Sequence, residues 1–321
     1  SPNSDFTVGA SNAALQARAD SLIDLVEGIT ERAPDKFAIA RSPADVREQF
    51  EQGVISLPLG MENGAPIEED LAELRYFYDR GIRYITLTHA KDNLISDSSY
   101  DSTRTHGGLS DFGRDVVQEM NRIGMIVDVS HISDSAFYQV METTAAPVMA
   151  SHSSVRAFTP GFERNMDDAM IQRLAENDGV IMINFGSSFL RGEYQEEGGA
   201  IRDSISAFME ENGLDAASPE GIAYFSRQRK ANPVGSVDDV VEHINHVVEL
   251  VGVDHVGLGS DFDGVFALPQ GLLDVAYYPN LVYRLLEEGY TDVDIEKILG
   301  GNALRVWEAV ERVAKEQEER S

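Results

Sequence analysis

Residues 110–131 read SDFGRDVVQEMNRIGMIVDVSH and contain both parts of a repeating helix–strand unit. In the first part, apolar residues recur at the spacing of one helix face, after an opening serine and before a closing glycine. These positions are Ser110, Phe112, Val116, Met120, Ile123 and Gly124. The second part, Met125–Val129, is a short apolar run that leads to His131. The stretch therefore predicts a helix followed by a strand that is covered on both faces.

The same two patterns alternate along the chain. Short apolar runs without polar alternation predict six buried strands. They are Val54–Leu59, Arg83–Thr88, Met125–Val129, Pro147–Ala150, Val180–Phe185 and His255–Gly259. Between them, amphipathic stripes predict helices, for example from Ile67 to Phe77 before Gly81, and from Val240 to Val251 before Gly252. Strands that alternate with helices predict an α/β fold, in which a parallel sheet is built from right-handed crossovers.

The predicted strands are fewer than the eight of a TIM-type (β/α)8 barrel. The start of the chain contributes helix-like sequence, residues 13–29 and 43–52, and no predicted strand. Since a βα unit takes ~30 residues, two absent units amount to roughly 60 residues. We therefore predict one barrel domain over residues 1–321, with its first two βα units missing from this chain. Residues 186–235 are predicted to form a long βα loop with helical pieces.

The composition argues against several classes of protein. Asp and Glu total 55 and Lys and Arg total 26, so the formal net charge is −29. Nucleic-acid binding and docking on anionic lipid both need a basic face, so neither is expected. No apolar run approaches the ~18 residues of a membrane span. Cys is absent, so a bound metal would have to be held by His, Asp or Glu.

Potential metal ligands stand at the carboxyl ends of the predicted strands. The segments are VISLPLGMENG, YITLTH, MIVDVSH, PVMASHSS and HVGLGSDFDG, and they supply Glu62, His89, His131, His152 and the pair Asp261 and Asp263. In a parallel barrel the carboxyl ends of the strands meet on one face, so these side chains are expected to surround one cavity. Imidazoles together with carboxylates form a ligand set suited to a metal ion.

Each of these residues also has a structural interpretation. A single histidine at a strand end is usually a packing group, and the Glu62 carboxylate could satisfy a helix N-terminus. The repetition of His or Glu at most of the strand ends favours ligands instead. The opposite holds for His243 and His246 on the helix before the last strand, and for His255 at the start of that strand. His106 lies in a polar loop, where its role is open.

Seven strings carry a resemblance to a known family. They are GMENG, TLTH, GGLSDFGRDVVQEMNRIGMIVDVSHIS, PVMASHSS, RNMDDAM, MINF and HVGLGSDFDGV. In this order and spacing they resemble the membrane dipeptidase family, also called renal dipeptidase or peptidase family M19, from about residue 20 to residue 315. The resemblance implies a (β/α)8 barrel of the amidohydrolase kind. It also implies two zinc ions (Zn2+) in the active site and hydrolysis of small dipeptides by a metal-bound hydroxide.

Three of the motif residues resemble the family's metal ligands. Glu62 resembles the carboxylate that bridges both metals, and His131 and His152 resemble the two imidazole ligands of the second metal. A bridging carboxylate lets two cations lie ~3.5–4 Å apart, and bound metal lowers the pKa of water toward ~7. These residues are therefore expected to help generate a nucleophile at neutral pH.

Three other residues resemble catalytic or substrate-binding groups. His89 resembles the histidine that polarises or positions the scissile carbonyl, and Arg164 resembles the arginine that pairs with the substrate's C-terminal carboxylate. Asp261 resembles the aspartate that transfers the proton to the leaving amine. We favour Asp261 over Asp263 because it is expected to belong to the strand's end, whereas Asp263 precedes a turn at Gly264.

The chain departs from the family's pattern at its start. The family begins with a strand ending in a His-x-Asp pair that holds the first metal, and here no histidine precedes His89. Ligands for one complete metal site of two are therefore predicted. The opening SPNSDFTVGA has no initiator Met and no signal peptide, which predicts a processed or trimmed start. We expect the missing units to have been cleaved, omitted or placed in another chain, because a true deletion would leave sheet edges unpaired.

Three functions are compatible with these residues. The first is a zinc-dependent dipeptidase, and the second is another metal-dependent amidohydrolase, such as a lactonase or a deaminase. The third is a non-catalytic barrel that lost its first metal site. Arg164 distinguishes the first two, because a free substrate carboxylate needs it and a neutral ring does not; metal content distinguishes the third. The sequence is compatible with a homodimer, and it leaves the compartment open while favouring a periplasmic or secreted location over a cytoplasmic one.

Overall fold

The computed structural model of the chain describes residues 12–67, 70–215 and 218–320, so the opening SPNSDFTVGA lies outside the described residues. The strands are β1 (Phe37–Ala40), β2 (Ile55–Glu62), β3 (Ile82–Thr86), β4 (Ile126–Asp128), β5 (Met149–Ser153), β6 (Val180–Asn184) and β7 (Val256–Ser260). The helices are α1 (Asn12–Arg32), α2 (Pro43–Glu51), α3 (Ala72–Arg80), α4 (Asp111–Ile123), α5 (Asp134–Thr143), α6 (Asp168–Glu176), α7 (Ser187–Leu190), α8 (Tyr194–Glu211), α9 (Pro219–Ala231), α10 (Val237–Val251), α11 (Tyr278–Glu287), α12 (Asp292–Glu296) and α13 (Asn302–Glu318).

The strands follow one another in the sheet in chain order, from β1 to β7. The pairs β1–β2, β2–β3, β3–β4, β4–β5 and β6–β7 are all parallel. Each connection between successive strands contains at least one helix. Parallel strands in chain order with helical crossovers have the topology of a TIM-type barrel. The predicted α/β barrel class is therefore confirmed.

The described sheet has seven strands where the sequence predicted six. The additional strand is β1, with the sequence FAIA, and its register with β2 runs from Phe37 opposite Ile55 to Ala40 opposite Pro58. The expectation that the start of the chain holds no strand, and with it the strand count behind two missing units, was therefore wrong. The sequence signal for β1 is weak because the strand has four residues, and two of them are alanines, which are depleted in strands.

The strand ends differ from the predicted ones in ways that affect the candidate site. β2 extends to Glu62, so this residue belongs to the strand itself, and β5 extends past His152 to Ser153. In contrast, β7 ends at Ser260, one residue before Asp261. Between β2 and β3 the register shifts at Gly60, where a Cβ atom would lie 2.0 Å from the Tyr84 ring. Only glycine fits this close approach.

The described residues group into two compact units. The first unit comprises residues 12–150, 176–179 and 303–320, and the second comprises residues 151–175 and 180–302. The prediction of a single domain over residues 1–321 stays a prediction. In the first unit, α4 buries its predicted apolar face, with Val116 and Met120 fully inaccessible. The Ser110 hydroxyl caps this helix by accepting a hydrogen bond from Gly113, as its sequence predicts.

The second unit has its own apolar core. Val240, Ile244 and Val247 on α10 are fully buried, as the stripe in this helix predicts. The predicted βα loop, residues 186–235, contains α7, α8 and α9, so the expected helical pieces are present. Across the described ranges, no helix combines the length and the apolar character needed to cross a bilayer.

Candidate metal centre and active site

Glu62, His89 and His131 form a cluster in the first unit. One ligand atom from each lies within 4.8 Å of the ligand atoms of the other two. The His131 Nε2 atom lies 3.0 Å from Glu62 Oε1, and the His89 Nε2 atom lies 3.7 Å from the same oxygen. The two imidazole rings are tilted, with their centroids 4.4 Å apart. Two strand-end histidines therefore converge on one carboxylate.

The chemistry of this cluster fits a metal ion of the zinc type. Zinc takes imidazole nitrogen and carboxylate oxygen at ~2.0–2.2 Å, which places neighbouring ligands ~3.4 Å apart in a tetrahedral site. The separations from Glu62 to the two histidines bracket that value. The side chain of His131 is 6% exposed, whereas His89 and Glu62 are 39% and 49% exposed, so the cluster has a buried side and an open side.

The turn after β4 gives His131 an unusual backbone conformation. Its φ is 71°, in the left-handed region that costs a non-glycine residue ~1 kcal/mol or more. Asp128, fully buried at the end of β4, accepts a hydrogen bond from the Ser130 N–H at 3.0 Å. Its second oxygen accepts one from the Thr86 hydroxyl of β3 at 2.5 Å. Asp128 thus connects the strand ends that precede both histidines.

The loop after His89 holds the backbone of both histidines. The Ser98 hydroxyl donates a hydrogen bond to the His89 carbonyl, and the Ser99 N–H donates to the His131 carbonyl at 2.7 Å. The loop is itself fixed by buried Asp97, whose carboxylate accepts hydrogen bonds from two backbone N–H groups. The positions of the two imidazoles therefore depend on this loop as well as on the sheet.

His152 lies in the second unit, within β5. The Ser151 hydroxyl is 2.7 Å from His152 Nδ1 and sets the orientation of the ring through that atom. A hydrogen bond at one ring nitrogen is the usual arrangement for an imidazole that binds metal through the other. The placement of His152 is thus compatible with its predicted role as a ligand, which stays a prediction.

Arg164 is the residue that fixes the end of β5. Its guanidinium donates to the Ser153 hydroxyl and to the His152 carbonyl, both at 2.8 Å, and lies 5.3 Å from the centre of the Phe189 ring. The side chain is 3% exposed, and its Nε has no hydrogen-bond partner within the described residues. A buried guanidinium with an unused donor is suited to an incoming carboxylate.

Asp261 occupies the turn after β7. Its φ is 60°, and the Gly264 N–H donates to its carbonyl, so the turn begins at Asp261 rather than at Asp263. The argument that Asp261 still belongs to the strand was therefore wrong. The carboxylate nevertheless has a fixed partner, because the Asn184 amide of β6 donates to it at 2.9 Å. Asp263 is exposed.

The sequence of the chain matches a family described as "Membrane dipeptidase (Peptidase family M19)" over residues 7–321. This chain belongs to the membrane dipeptidase family. The resemblance predicted from the seven strings is thereby confirmed. Three curated relatives are named dipeptidases. "Dipeptidase tcpJ" of Claviceps purpurea (strain 20.1) is 39% identical over 295 residues, covering 92% of this chain.

The other two relatives have similar sequence identity to this chain. "Dipeptidase verJ" of Clonostachys rogersoniana is 36% identical over 315 residues, and "Dipeptidase aclJ" of Aspergillus oryzae (strain ATCC 42149 / RIB 40) is 40% identical over 295 residues. They cover 98% and 91% of this chain. The matched regions span 60% of tcpJ, 70% of verJ and 61% of aclJ, so the chain corresponds to part of each relative.

Two solved structures of similar proteins have the same fold. The probable dipeptidase PvdM from Pseudomonas aeruginosa superposes with a TM-score of 0.77 at 30% identity, covering 91% of this chain and 78% of that chain. A metallo peptidase from Rhodobacter sphaeroides, liganded with a phosphinate mimic of the dipeptide L-Ala-D-Ala, has a TM-score of 0.75 at 26% identity. It covers 92% of this chain and 75% of that chain.

For this membrane dipeptidase family member, the structure refines the predicted site. It groups Glu62 and His131 with His89, which the sequence assigned to the substrate, so His89 becomes a candidate metal ligand. The predicted ligand set of Glu62, His131 and His152 stays a prediction. Asn184 was overlooked as a functional residue because we considered only His, Asp and Glu at strand ends. Its position as the last residue of β6 in the string MINF could have revealed it.

Two histidines outside the predicted site have structural partners. His243 is fully buried on α10, where its Nδ1 accepts from the Val155 N–H at 3.0 Å and its Nε2 lies 2.9 Å from the Leu190 carbonyl. His246 pairs with Asp168 at 2.7 Å. These contacts agree with the packing and surface roles expected for both residues.

Proposed function

We propose that this protein is a zinc-dependent dipeptidase that hydrolyses the peptide bond of small dipeptides. The observation that carries the proposal is the convergence of His89 and His131 on Glu62 in a chain of the membrane dipeptidase family. The relatives named dipeptidases, and the metallo peptidase liganded with a dipeptide mimic, support the substrate class.

The first unit would hold the metal through Glu62, His131 and His89, and the sequence adds His152 as a ligand. When bound, zinc supplies Lewis acidity, which lowers the pKa of water toward ~7 and polarises a carbonyl group. The exposed side of the cluster, formed by Glu62 and His89, gives the substrate access. His131, buried and held by its turn, keeps the ligand geometry.

Arg164 and Asp261 supply the remaining functions in this proposal. The guanidinium of Arg164 binds the C-terminal carboxylate of the dipeptide, which would give its Nε donor a partner. The Asp261 carboxylate, fixed by Asn184, accepts the proton of the attacking water and passes it to the leaving amine. The products are two amino acids.

Purified protein loaded with zinc tests this function. We expect it to hydrolyse Ala-Ala, to lose this activity after dialysis against a chelator and to regain it when zinc is restored. Ala-Ala amide is the comparison substrate, because it lacks the carboxylate that Arg164 binds. Turnover of lactones or of ring amidines in place of dipeptides would instead support another amidohydrolase. No turnover, with no bound zinc, would support a non-catalytic barrel.

A further inference from the structure

Arg229 is a buried cation on α9, within the helical region that connects β6 to β7. Its side chain is 8% exposed, and the guanidinium packs 4.7 Å from the centre of the Phe225 ring. Its one hydrogen bond to the described residues is a long one, 3.4 Å from the guanidinium to the Val265 carbonyl. The Nε atom is buried and has no hydrogen-bond partner in the ranges that the structure describes.

A comparison with Arg83 shows how unusual this environment is. Arg83 is 7% exposed, and its guanidinium donates to the carbonyls of Arg41, Tyr78 and Ile82 at 2.7–2.9 Å. Arg229 lacks such a set, and no carboxylate among the described residues lies within ion-pair distance of it. A buried charge without close partners is costly, although the chain has 55 acidic residues that could have supplied one.

The position of Arg229 is next to the turn that carries Asp261. Val265, whose carbonyl it contacts, follows Asp261 by four residues. The charges of Asp263, Asp261 and Asp274 act on the guanidinium from a distance, yet burial outweighs them and lowers the pKa of Arg229. Two of these carboxylates have closer partners, since Asn184 donates to Asp261 and Lys230 lies 2.7 Å from Asp274.

We propose that Arg229 binds a second carboxylate of the substrate, the acidic side chain of a dipeptide that contains Asp or Glu. The inference rests on the proposed function, in which Arg164 binds the terminal carboxylate. A guanidinium binds a carboxylate through two parallel hydrogen bonds, and the unused donors of Arg229 are available for them. The long βα region would thereby select acidic dipeptides beside the catalytic turn.

The test compares dipeptides that differ only in charge: Ala-Glu with Ala-Gln, and Glu-Ala with Gln-Ala. We expect the wild-type enzyme to prefer the Glu member of at least one pair by about 10-fold in kcat/KM. Arg229→Gln should reduce that ratio to near unity. Arg229→Lys, which keeps the charge and serves if Arg229→Gln is unstable, should lose most of the ratio because an ammonium cannot bind in the two-pronged geometry.

Arg227→Gln is the matched control, since Arg227 is exposed on the same helix and its loss changes the net charge equally. It should keep the wild-type ratio. Wild-type enzyme without a Glu preference, or an Arg229→Lys variant with the full preference, would overturn the inference. The inference would also be overturned if Arg229→Gln lowered kcat/KM for free Ala-Ala but not for Ala-Ala amide. That result would assign Arg229 to the terminal carboxylate of the substrate. Failure of zinc-loaded enzyme to cleave even Ala-Ala and Ala-Gln would instead refute the proposed function.

Discussion

The side-chain amide of Asn184 donates a hydrogen bond to the carboxylate of Asp261 at 2.9 Å. The orientation of the amide is set by its other end, because the Gly186 N–H donates to Asn184 Oδ1 at 2.7 Å. Asn184 is fully buried at the end of β6, and Asp261 lies in the turn after β7. The neighbouring strand therefore aligns the carboxylate that is predicted to move the proton.

Asn184→Asp should impair catalysis by disturbing this alignment. The new side chain has the same shape and can still accept from Gly186, but it presents an acceptor to Asp261 where the amide presented a donor. We expect kcat to fall about 10-fold or more, with KM for Ala-Ala and zinc content little changed. Asn232→Asp, at the exposed C-cap position just after α9, is the control. An unchanged kcat in Asn184→Asp would show that the hydrogen bond has no catalytic role.

Asp261→Asn tests the proton-transfer role directly. An amide cannot accept the proton of the attacking water, so we expect kcat for Ala-Ala to fall ~100-fold or more while metal content is retained. Asp263→Asn is the matched comparison, and because Asp263 is exposed it should have a small effect. Steady-state kinetics with metal analysis distinguishes the two variants. A large fall in kcat for Asp263→Asn and a small one for Asp261→Asn would assign the role to Asp263.

His131→Ala should remove the buried ligand of the metal cluster. Since His131 Nε2 lies 3.0 Å from Glu62 Oε1, loss of the imidazole leaves the carboxylate without its nearest partner in the cluster. We expect reduced zinc content, activity at the detection limit and a circular dichroism spectrum like that of the wild type. His246→Ala removes a histidine elsewhere and should keep both zinc and activity. Full activity in zinc-free His131→Ala would exclude this centre.

Arg164→Lys tests whether Arg164 binds the substrate carboxylate or has only a structural role. An ammonium loses the paired hydrogen bonds to a carboxylate, so KM for free Ala-Ala should rise at least ~10-fold. Turnover of Ala-Ala amide should change little by comparison, because it has no terminal carboxylate. Arg202→Lys, on α8, controls for a generic effect of the exchange. If both substrates are affected equally, then Arg164 acts through its hydrogen bonds to Ser153 and His152 alone.

His243 should make the stability of the fold depend on pH. Burial lowers its pKa from 6.5 to about 4, so between these values the unfolded state binds a proton that the folded state does not. The free energy of unfolding should therefore fall as pH decreases from about 6.5 to about 4, by up to ~3 kcal/mol from this residue. Urea unfolding of the wild type and of His243→Gln at several pH values measures this contribution of His243 to the free energy of unfolding. The difference between the two proteins should shrink as the pH falls, and a difference that stays constant over this range would contradict the prediction.

Local sequence was sufficient for the alternation of helices and strands. The helix of residues 110–124 and the strand after it are encoded by apolar spacing, a serine cap and a closing glycine, all of which act between near neighbours. The proximity of Glu62 and His131 also follows from local sequence, since parallel strands place their carboxyl ends side by side. Strand β1 was not predicted, because four residues that include two alanines carry little local signal for a strand.

The sequence by itself determined the barrel class and the family, and it named Glu62 and His131 as candidate metal ligands. Only the tertiary structure decided that His89 joins this cluster, that Asn184 holds Asp261, and that Arg229 is buried with no carboxylate of the described residues at ion-pair distance. The physical reason is that ligand geometry, hydrogen-bond partners and burial arise between residues far apart in the chain. Asn184 and Asp261 are separated by 77 positions, and no local pattern specifies how two such side chains meet.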